Sequence, residues 1–246
     1  MSKLELPVLG AAGSTRDSAG ESLAEELLKA DLKLAARCAK LKKKQDVLRQ
    51  IKEHPPELPA GKYSVIVLDP PWQYDTKVED GGTVRGLVDY PTMTLTEIAE
   101  LPVPELAHQS CMLWLWATNS FLGAAWELAV GWGFSVKTVL TWDKVHHGVG
   151  FYLLNVTEHC LVGVRGSPVV DLQGAYARFD EGLCCAPNTM LRCPREEHSR
   201  KPRLFYRLVE YLCPCGPEAR LEMFAREPRE GWVSWGAETA KFGVSP

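Results

Sequence analysis

Tyr63-Ser64-Val65-Ile66-Val67-Leu68-Asp69-Pro70-Pro71-Trp72 is the stretch on which the fold turns. Its first six residues are an apolar, β-branched run with little polar alternation, the pattern of a strand buried on both faces. Two prolines then end the strand, because each locks φ and removes a backbone donor. Similar apolar runs predict strands over Cys111 to Trp116, Ser135 to Trp142, Glu158 to Val164, Ala219 to Ala225 and Trp232 to Trp235. Between them lie helical stretches. Thr94 or Thr96 caps a short helix with Glu97 in its first turn, Phe121 to Gly131 ends on glycine, and Pro202 to Tyr211 opens on proline. Residues 166–195 read as irregular. Strands alternating with helices, with continuous rather than alternating apolar runs, predict an α/β domain: a mainly parallel sheet with helices on both faces.

Ahead of that domain the composition changes. Residues 1–20 are rich in Gly, Ala and Ser and are expected to be a flexible tail. Residues 21–53 hold strong helix formers with no Gly or Pro and predict one long helix, and the prolines up to Pro59 mark a linker ending near residue 60. The compact domain is expected over 61–246. Leu27, Leu34, Leu41 and Leu48 recur every seventh residue, but the companion positions Asp31, Cys38 and Gln45 are poor coiled-coil core. The stripe is expected to pack on the domain, or to mediate homo- or hetero-oligomer contacts.

No apolar stretch reaches the roughly 18 to 20 residues of a membrane span, and the acid at Glu5 interrupts any signal-like core, so a cytoplasmic protein without membrane contact is expected. The eight cysteines then read as thiols. Cys213-Pro214-Cys215 and Cys184-Cys185 lack the paired Cys-x-x-Cys knuckles of zinc sites, so no metal is expected. The formal net charge of -3 does not announce a nucleic-acid binder. Two local basic clusters do offer a phosphate track: one between Lys33 and Lys52, the other between Arg192 and Arg207. Solvated surface accounts for the first equally well.

Asp69 to Trp72 has two readings. One is a rigid turn beside a core tryptophan. The other is a site that activates an exocyclic amine, whose lone pair is delocalised into its ring. The carboxylate of Asp69 and the carbonyl of Pro70 would each accept one N–H, held ready by Pro70 and Pro71, and Trp72 would offer a face for a planar base. Ligands of open α/β sheets bind outside the carboxyl ends of strands. Glu238, after the last strand, is placed to accept ribose hydroxyls or is a surface acid. Lys201, beside a helix N-terminus, is placed to meet a carboxylate or is a solvated charge.

Asp69-Pro70-Pro71-Trp72 resembles the signature of the adenine N6-methyltransferase family that includes the catalytic subunit of the eukaryotic mRNA adenosine methyltransferase and bacterial and phage members. The likeness extends through Tyr90-Pro91-Thr92-Met93, Trp114-Leu115-Trp116, Glu158 to Val164, His198 to Pro202, Leu221 to Arg226 and Gly231 to Gly236, in order. The resemblance implies a Rossmann-like class I methyltransferase fold, with the catalytic motif ahead of the donor-binding strand, and S-adenosylmethionine as methyl donor. It implies that Asp69 lies near donor and target amine, that Lys201, Glu222, Arg226 and Glu238 line the donor site, and that Trp72 and Tyr90 hold the adenine beneath a loop running from Gln73 to Pro91. Nucleic acid is the implied substrate, with DNA favoured over RNA by the likeness to bacterial and phage members. A non-catalytic nucleic-acid-binding subunit is the competing reading, and the intact tetrapeptide speaks against it. Ala237 stands where many members have Asn, and Glu227, Pro228 and Arg229 replace a His-Asn of the eukaryotic enzyme, so those donor contacts do not transfer.

Overall fold

A computed structural model describes residues 17–54, 56–74, 90–148, 152–178, 187–195, 200–237 and 239. Its helices are α1 (Asp17–Glu53), α2 (Leu95–Ala99), α3 (Val103–Leu106), α4 (Leu122–Gly131), α5 (Leu172–Arg178) and α6 (Arg203–Leu212). Its strands are β1 (Tyr63–Leu68), β2 (Ala107–Ala117), β3 (Ser135–Asp143), β4 (Thr157–Arg165), β5 (Met190–Arg192), β6 (Arg220–Met223) and β7 (Val233–Trp235). They form a single sheet in the order β5-β3-β4-β2-β1-β6-β7. β4 is antiparallel to both of its neighbours, and every other pairing is parallel.

The continuous apolar runs are accounted for by two cores, one on each face. Ile66 and Leu68 of β1, with Leu113 and Leu115 of β2, pack with Ile98 of α2 and with Ala125 and Ala129 of α4. The alternate residues Val65, Val67, Trp114 and Trp116 pack with Ala175 of α5 and with Phe205 and Val209 of α6. A strand buried on both sides has no polar face to display, so period two disappears from its sequence. At α2, Thr94 rather than Thr96 is the cap: its hydroxyl accepts from Glu97 N, and the Glu97 carboxylate accepts from Thr94 N, a complete capping box.

Three expectations are corrected. The stretch 166–195 is not wholly irregular, since α5 and β5 both lie in it. β5 has only three residues and sits at the sheet edge, where a short strand limits unpaired backbone. The leucine stripe of α1 does not pack on the domain: Leu27, Leu34, Leu41 and Leu48 are 59%, 58%, 39% and 45% exposed. The helix also begins at Asp17, inside the stretch expected to be tail. It approaches the domain near its C-terminal end, where Lys44 donates to Thr92, and beyond it Trp235 donates to the carbonyl of Pro56. No described helix is long and apolar enough to cross a membrane.

Candidate active site

The sheet order places a site before any residue is named. From β1 the chain moves to β2 on one side, and it later returns to the other side of β1 as β6. Ligand crevices of open α/β sheets lie at such a switch, outside the strands' carboxyl ends. Asp69 follows β1 there, and Glu222, Met223 and Phe224 lie at the end of β6. Because β4 runs backwards, its N-terminal end comes to the same edge, and with it Glu158. Lys144, just past β3, arrives by the forward route.

The tetrapeptide is held from several directions. Trp72 N donates to the Pro70 carbonyl at 2.9 Å, a three-residue turn about Pro71, and Met93 N donates to the Pro71 carbonyl at 2.8 Å. The Trp72 indole N–H donates to the Trp116 carbonyl, and its ring stacks on Phe121 at 4.9 Å. Trp72 is only 4% exposed. The expected platform for a base is therefore a buried anchor, with one face covered by Phe121 and its polar end tied to β2. The reason lies in packing: a tryptophan directly after a strand end can turn under the sheet edge, where its area is removed from water. Pro70 keeps a second lone pair on its carbonyl oxygen, and that oxygen is fixed by the turn.

Asp69 joins a chain of alternating charge. The Lys201 ammonium lies 2.8 Å from Asp69 Oδ2 and 3.0 Å from Glu158 Oε2, and Glu158 Oε1 lies 3.2 Å from Lys144 Nζ. The Lys201 ammonium also sits over the ring of Trp116, 5.1 Å from its centroid. Burial works against the charged form of Lys201, but Asp69 and Glu158 outweigh it and hold its pKa above the ordinary lysine value. Burial likewise pushes Glu158 up, and the ammonium groups of Lys201 and Lys144 overturn that and leave the carboxyl below its usual range. Lys201 and Glu158 are thus both ionised throughout the neutral range. Among the described residues only Lys201 engages the Asp69 carboxylate, through Oδ2.

Beside Asp69 opens a cleft of about 330 Å³ lined by Asp69, Lys201, Tyr206, Glu222, Phe224 and Arg226, with Arg200 and Glu227 at its wall. Tyr206 donates to Glu222 Oε1 at 2.6 Å. The Arg229 guanidinium covers the Tyr206 ring at 3.5 Å and reaches toward Glu222 Oε2 at 3.8 Å. Glu222 Oε2 and Arg229 Nε are both buried without a hydrogen-bond partner, an uncommon state for buried polar atoms. Burial pushes the Glu222 carboxyl up to about 7, against the Tyr206 hydrogen bond and the charge of Arg229. Glu227, itself buried, binds both Arg200 and Arg229 and fixes the second wall. The Arg226 guanidinium stands 5.0 Å from the ring of Tyr90. Phe224 adopts φ 61°, and a Cβ on Gly236 would come within 3.0 Å of Phe224 Cα, so β7 approaches this bend closely enough to require glycine.

The structure thus gathers Asp69, Lys201, Glu222 and Arg226 around one cleft and sets Tyr90 against Arg226. Glu238, and the loop expected between Gln73 and Pro91 apart from its ends, lie outside the described residues. Sequence reasoning assigned no role to Glu158, Lys144, Tyr206 or Arg229. The signal for Glu158 is an acid at the start of a strand, which counts only once that strand is known to be reversed.

A seven-stranded, mostly parallel sheet with one reversed strand, and a cleft of mixed charge at its switch point, are the architecture of a Rossmann-like methyltransferase fold. The chain belongs to the MT-A70 family, whose pattern matches residues 63–238. It is 32% identical over 213 residues to the type II methyltransferase M.MunI of a Mycoplasma species, covering 80% of this chain and 86% of that protein. It is 30% identical to the human N(6)-adenine-specific methyltransferase METTL4 over 73% of this chain, and 29% identical to human METTL3, an N(6)-adenosine-methyltransferase catalytic subunit, over 72%. The match spans only 38% and 28% of those two human proteins.

Proposed function

We propose that the protein transfers a methyl group from S-adenosylmethionine to the N6 amino group of adenine in nucleic acid, with DNA as the preferred polymer. The observation that carries this reading is the Asp69–Lys201 pair at the mouth of a cleft whose buried Glu222 Oε2 and Arg229 Nε, 3.8 Å apart, make no hydrogen bond. An acceptor and a donor left unsatisfied side by side fit a ligand that brings hydroxyl or amino groups. Glu222, Arg226 and Tyr206 would hold the donor on the β6 side, with Lys201 between Asp69 and the start of α6. Support for DNA comes from the match over most of the length of a type II methyltransferase.

When bound, the donor supplies an electrophilic methyl on a sulfonium sulfur. The chain supplies the rest. Asp69 and the Pro70 carbonyl accept the two N–H bonds of the amine and draw its lone pair out of conjugation. Transfer would form the new N–C bond as the methyl's bond to sulfur breaks and a neutral thioether leaves, and the surplus proton would pass along the held N–H to the Asp69 carboxylate and on to solvent. Lys201 holds that carboxylate in position through its ion pair, and Glu158 with Lys144 keep Lys201 in place. Tyr90, whose ring lies 5.0 Å from the Arg226 guanidinium beside the cleft, would take the base; Trp72 braces the turn from below. In duplex DNA the adenine must first leave the stack to reach Asp69.

The test is incubation with labelled donor and duplex DNA, single strands, RNA or free nucleosides, with mass analysis of the modified nucleoside. N6-methyladenine in DNA is expected. Asp69→Ala should lower transfer by at least about 10²-fold, the scale for removing one preorganised acceptor or donor, with an unchanged circular dichroism spectrum. Wild-type turnover in that variant overturns the assignment, and product in RNA alone overturns the polymer.

A further inference from the structure

Between Asp31 and Asp46, helix α1 holds six bases and no acid. Four of them, Lys33, Arg37, Lys40 and Lys44, follow at spacings of four, three and four residues, which sets them in one line on one face of the helix. Lys33, Arg37 and Lys40 are exposed and have no ion-pair or hydrogen-bond partner among the described residues. Lys29 and Arg49, on either side of that run, instead pair with Glu25 and Asp46 one turn away. Like charges one turn apart destabilise a helix, and along this line each neighbour is another base. A solvated face has no need of that arrangement, whereas a polyanion laid along it offsets the repulsion.

We infer, on the reading that the protein methylates DNA, that the line from Lys33 to Lys44 binds the phosphate backbone of duplex DNA beside the target adenine. Charge and continuity with the site select this occupant. A one-sided row of cations about 16 Å long matches a strand that carries one negative charge per roughly 3.4 Å. At the domain end of the row Lys44, half-buried, donates to the Thr92 hydroxyl at 3.5 Å. Thr92 follows Tyr90 by two residues and precedes Met93, whose N–H donates to the Pro71 carbonyl of the catalytic turn. The row thus starts beside the turn that would hold the adenine and runs outward from it along the helix. Lys42 and Arg49 fall on the other side of α1, outside the row. Phosphate contacts fix the register and orientation of the polymer without reading its sequence, so the row positions DNA for a target chosen elsewhere on the protein.

The experiment is equilibrium binding of the full chain, without donor, to a fluorescent mixed-sequence DNA duplex of about 30 base pairs across about 50 to 200 mM salt. The same duplex in RNA and vesicles containing phosphatidylserine are run beside it. Each phosphate contact contributes about 0.9 to the slope of log affinity against log salt. Lys33→Gln with Lys40→Gln should therefore weaken binding to DNA and reduce that slope by about 2. Lys42→Gln with Arg49→Gln removes the same charge from the other side of the helix and should reduce the slope by less than half as much. Glutamine is a strong helix former, so α1 persists in both variants, as circular dichroism checks. Equal reductions from the two faces, a slope unmoved by the first pair, a parent that does not bind the DNA duplex, or an effect confined to RNA or to vesicles each overturns the proposal. With no donor present, the result stands apart from the methylation test. Methyl transfer to DNA with an unmoved slope overturns the row alone, and a moved slope without transfer overturns the proposed chemistry alone.

Discussion

At Asp69 the decisive quantity is the charge around it rather than its own acidity. Lys201 is a buried cation between two carboxylates, and its state follows from both. Glu158→Gln removes one carboxylate and leaves Lys144 without its partner. A fall in kcat of about 10- to 100-fold is expected, with a melting temperature lowered by the breaking of a buried pair, for which 3 to 5 kcal/mol is roughly the scale; steady-state kinetics beside calorimetry measure both. The pH dependence has a definite sign. Glu158 is depressed, so its contribution is present above the ordinary carboxylate value of 4.5 and is lost as pH falls through the lower folded value. Lys201 is raised, so its contribution is present below 10.5 and is lost as pH rises through the higher folded value. Glu222 runs the other way. Its folded pKa lies at about 7 against 4.5, so the native state holds the extra proton and stability declines as pH rises between those values. Glu222→Gln should flatten that decline and raise the melting temperature above pH 7 relative to the parent, while donor affinity measured by titration calorimetry falls.

Among the elements, the turn after β1 shows what the sequence could and could not disclose. The strand, the acid and the prolines are local facts, and local reading found them. That Trp72 is an anchor rather than a platform depends on Phe121 and Trp116, residues more than forty positions away. Trp72→Ala should therefore destabilise the fold by about 3 to 5 kcal/mol, the range for emptying a buried aromatic site, as read by urea denaturation. Tyr90→Ala, at a partly buried ring, should cost less, about 1 kcal/mol, the centre of ordinary substitutions, and raise KM for the nucleic acid. Equal losses of stability in the two variants would reverse these roles. β4 teaches the same lesson. Its apolar pattern predicted a strand, but its direction, which delivers Glu158 to the site, is a property of the sheet. α5 and β5 escaped notice because seven and three residues carry too little periodicity to register.

Over the whole molecule, the order of strands was legible only through the resemblance, while the two-sided burial followed from the apolar runs alone. The long helix was legible as a helix, and the exposure of its leucine stripe was not, because a heptad pattern reads the same whether or not it packs on the domain. One measurement reaches the whole fold. A donor that binds only the native state at 100 times its dissociation constant adds about 2.7 kcal/mol, which for a chain of this size is roughly 5 to 10 °C in melting temperature. That shift is expected with S-adenosylmethionine and should be absent in Glu222→Ala.

Phe224 bends the backbone at φ 61°, against a cleft it helps to line. A non-glycine residue held there costs on the order of 1 to 3 kcal/mol, and glycine or asparagine would relieve that cost. The position is therefore a fault line between robustness and turnover. Selection of random libraries for heat resistance alone should enrich small or amide-bearing residues at 224, and the survivors should bind donor poorly. Selection for modified DNA should return the aromatic ring. Sequencing both pools shows what the enzyme surrenders in durability to keep its donor in place.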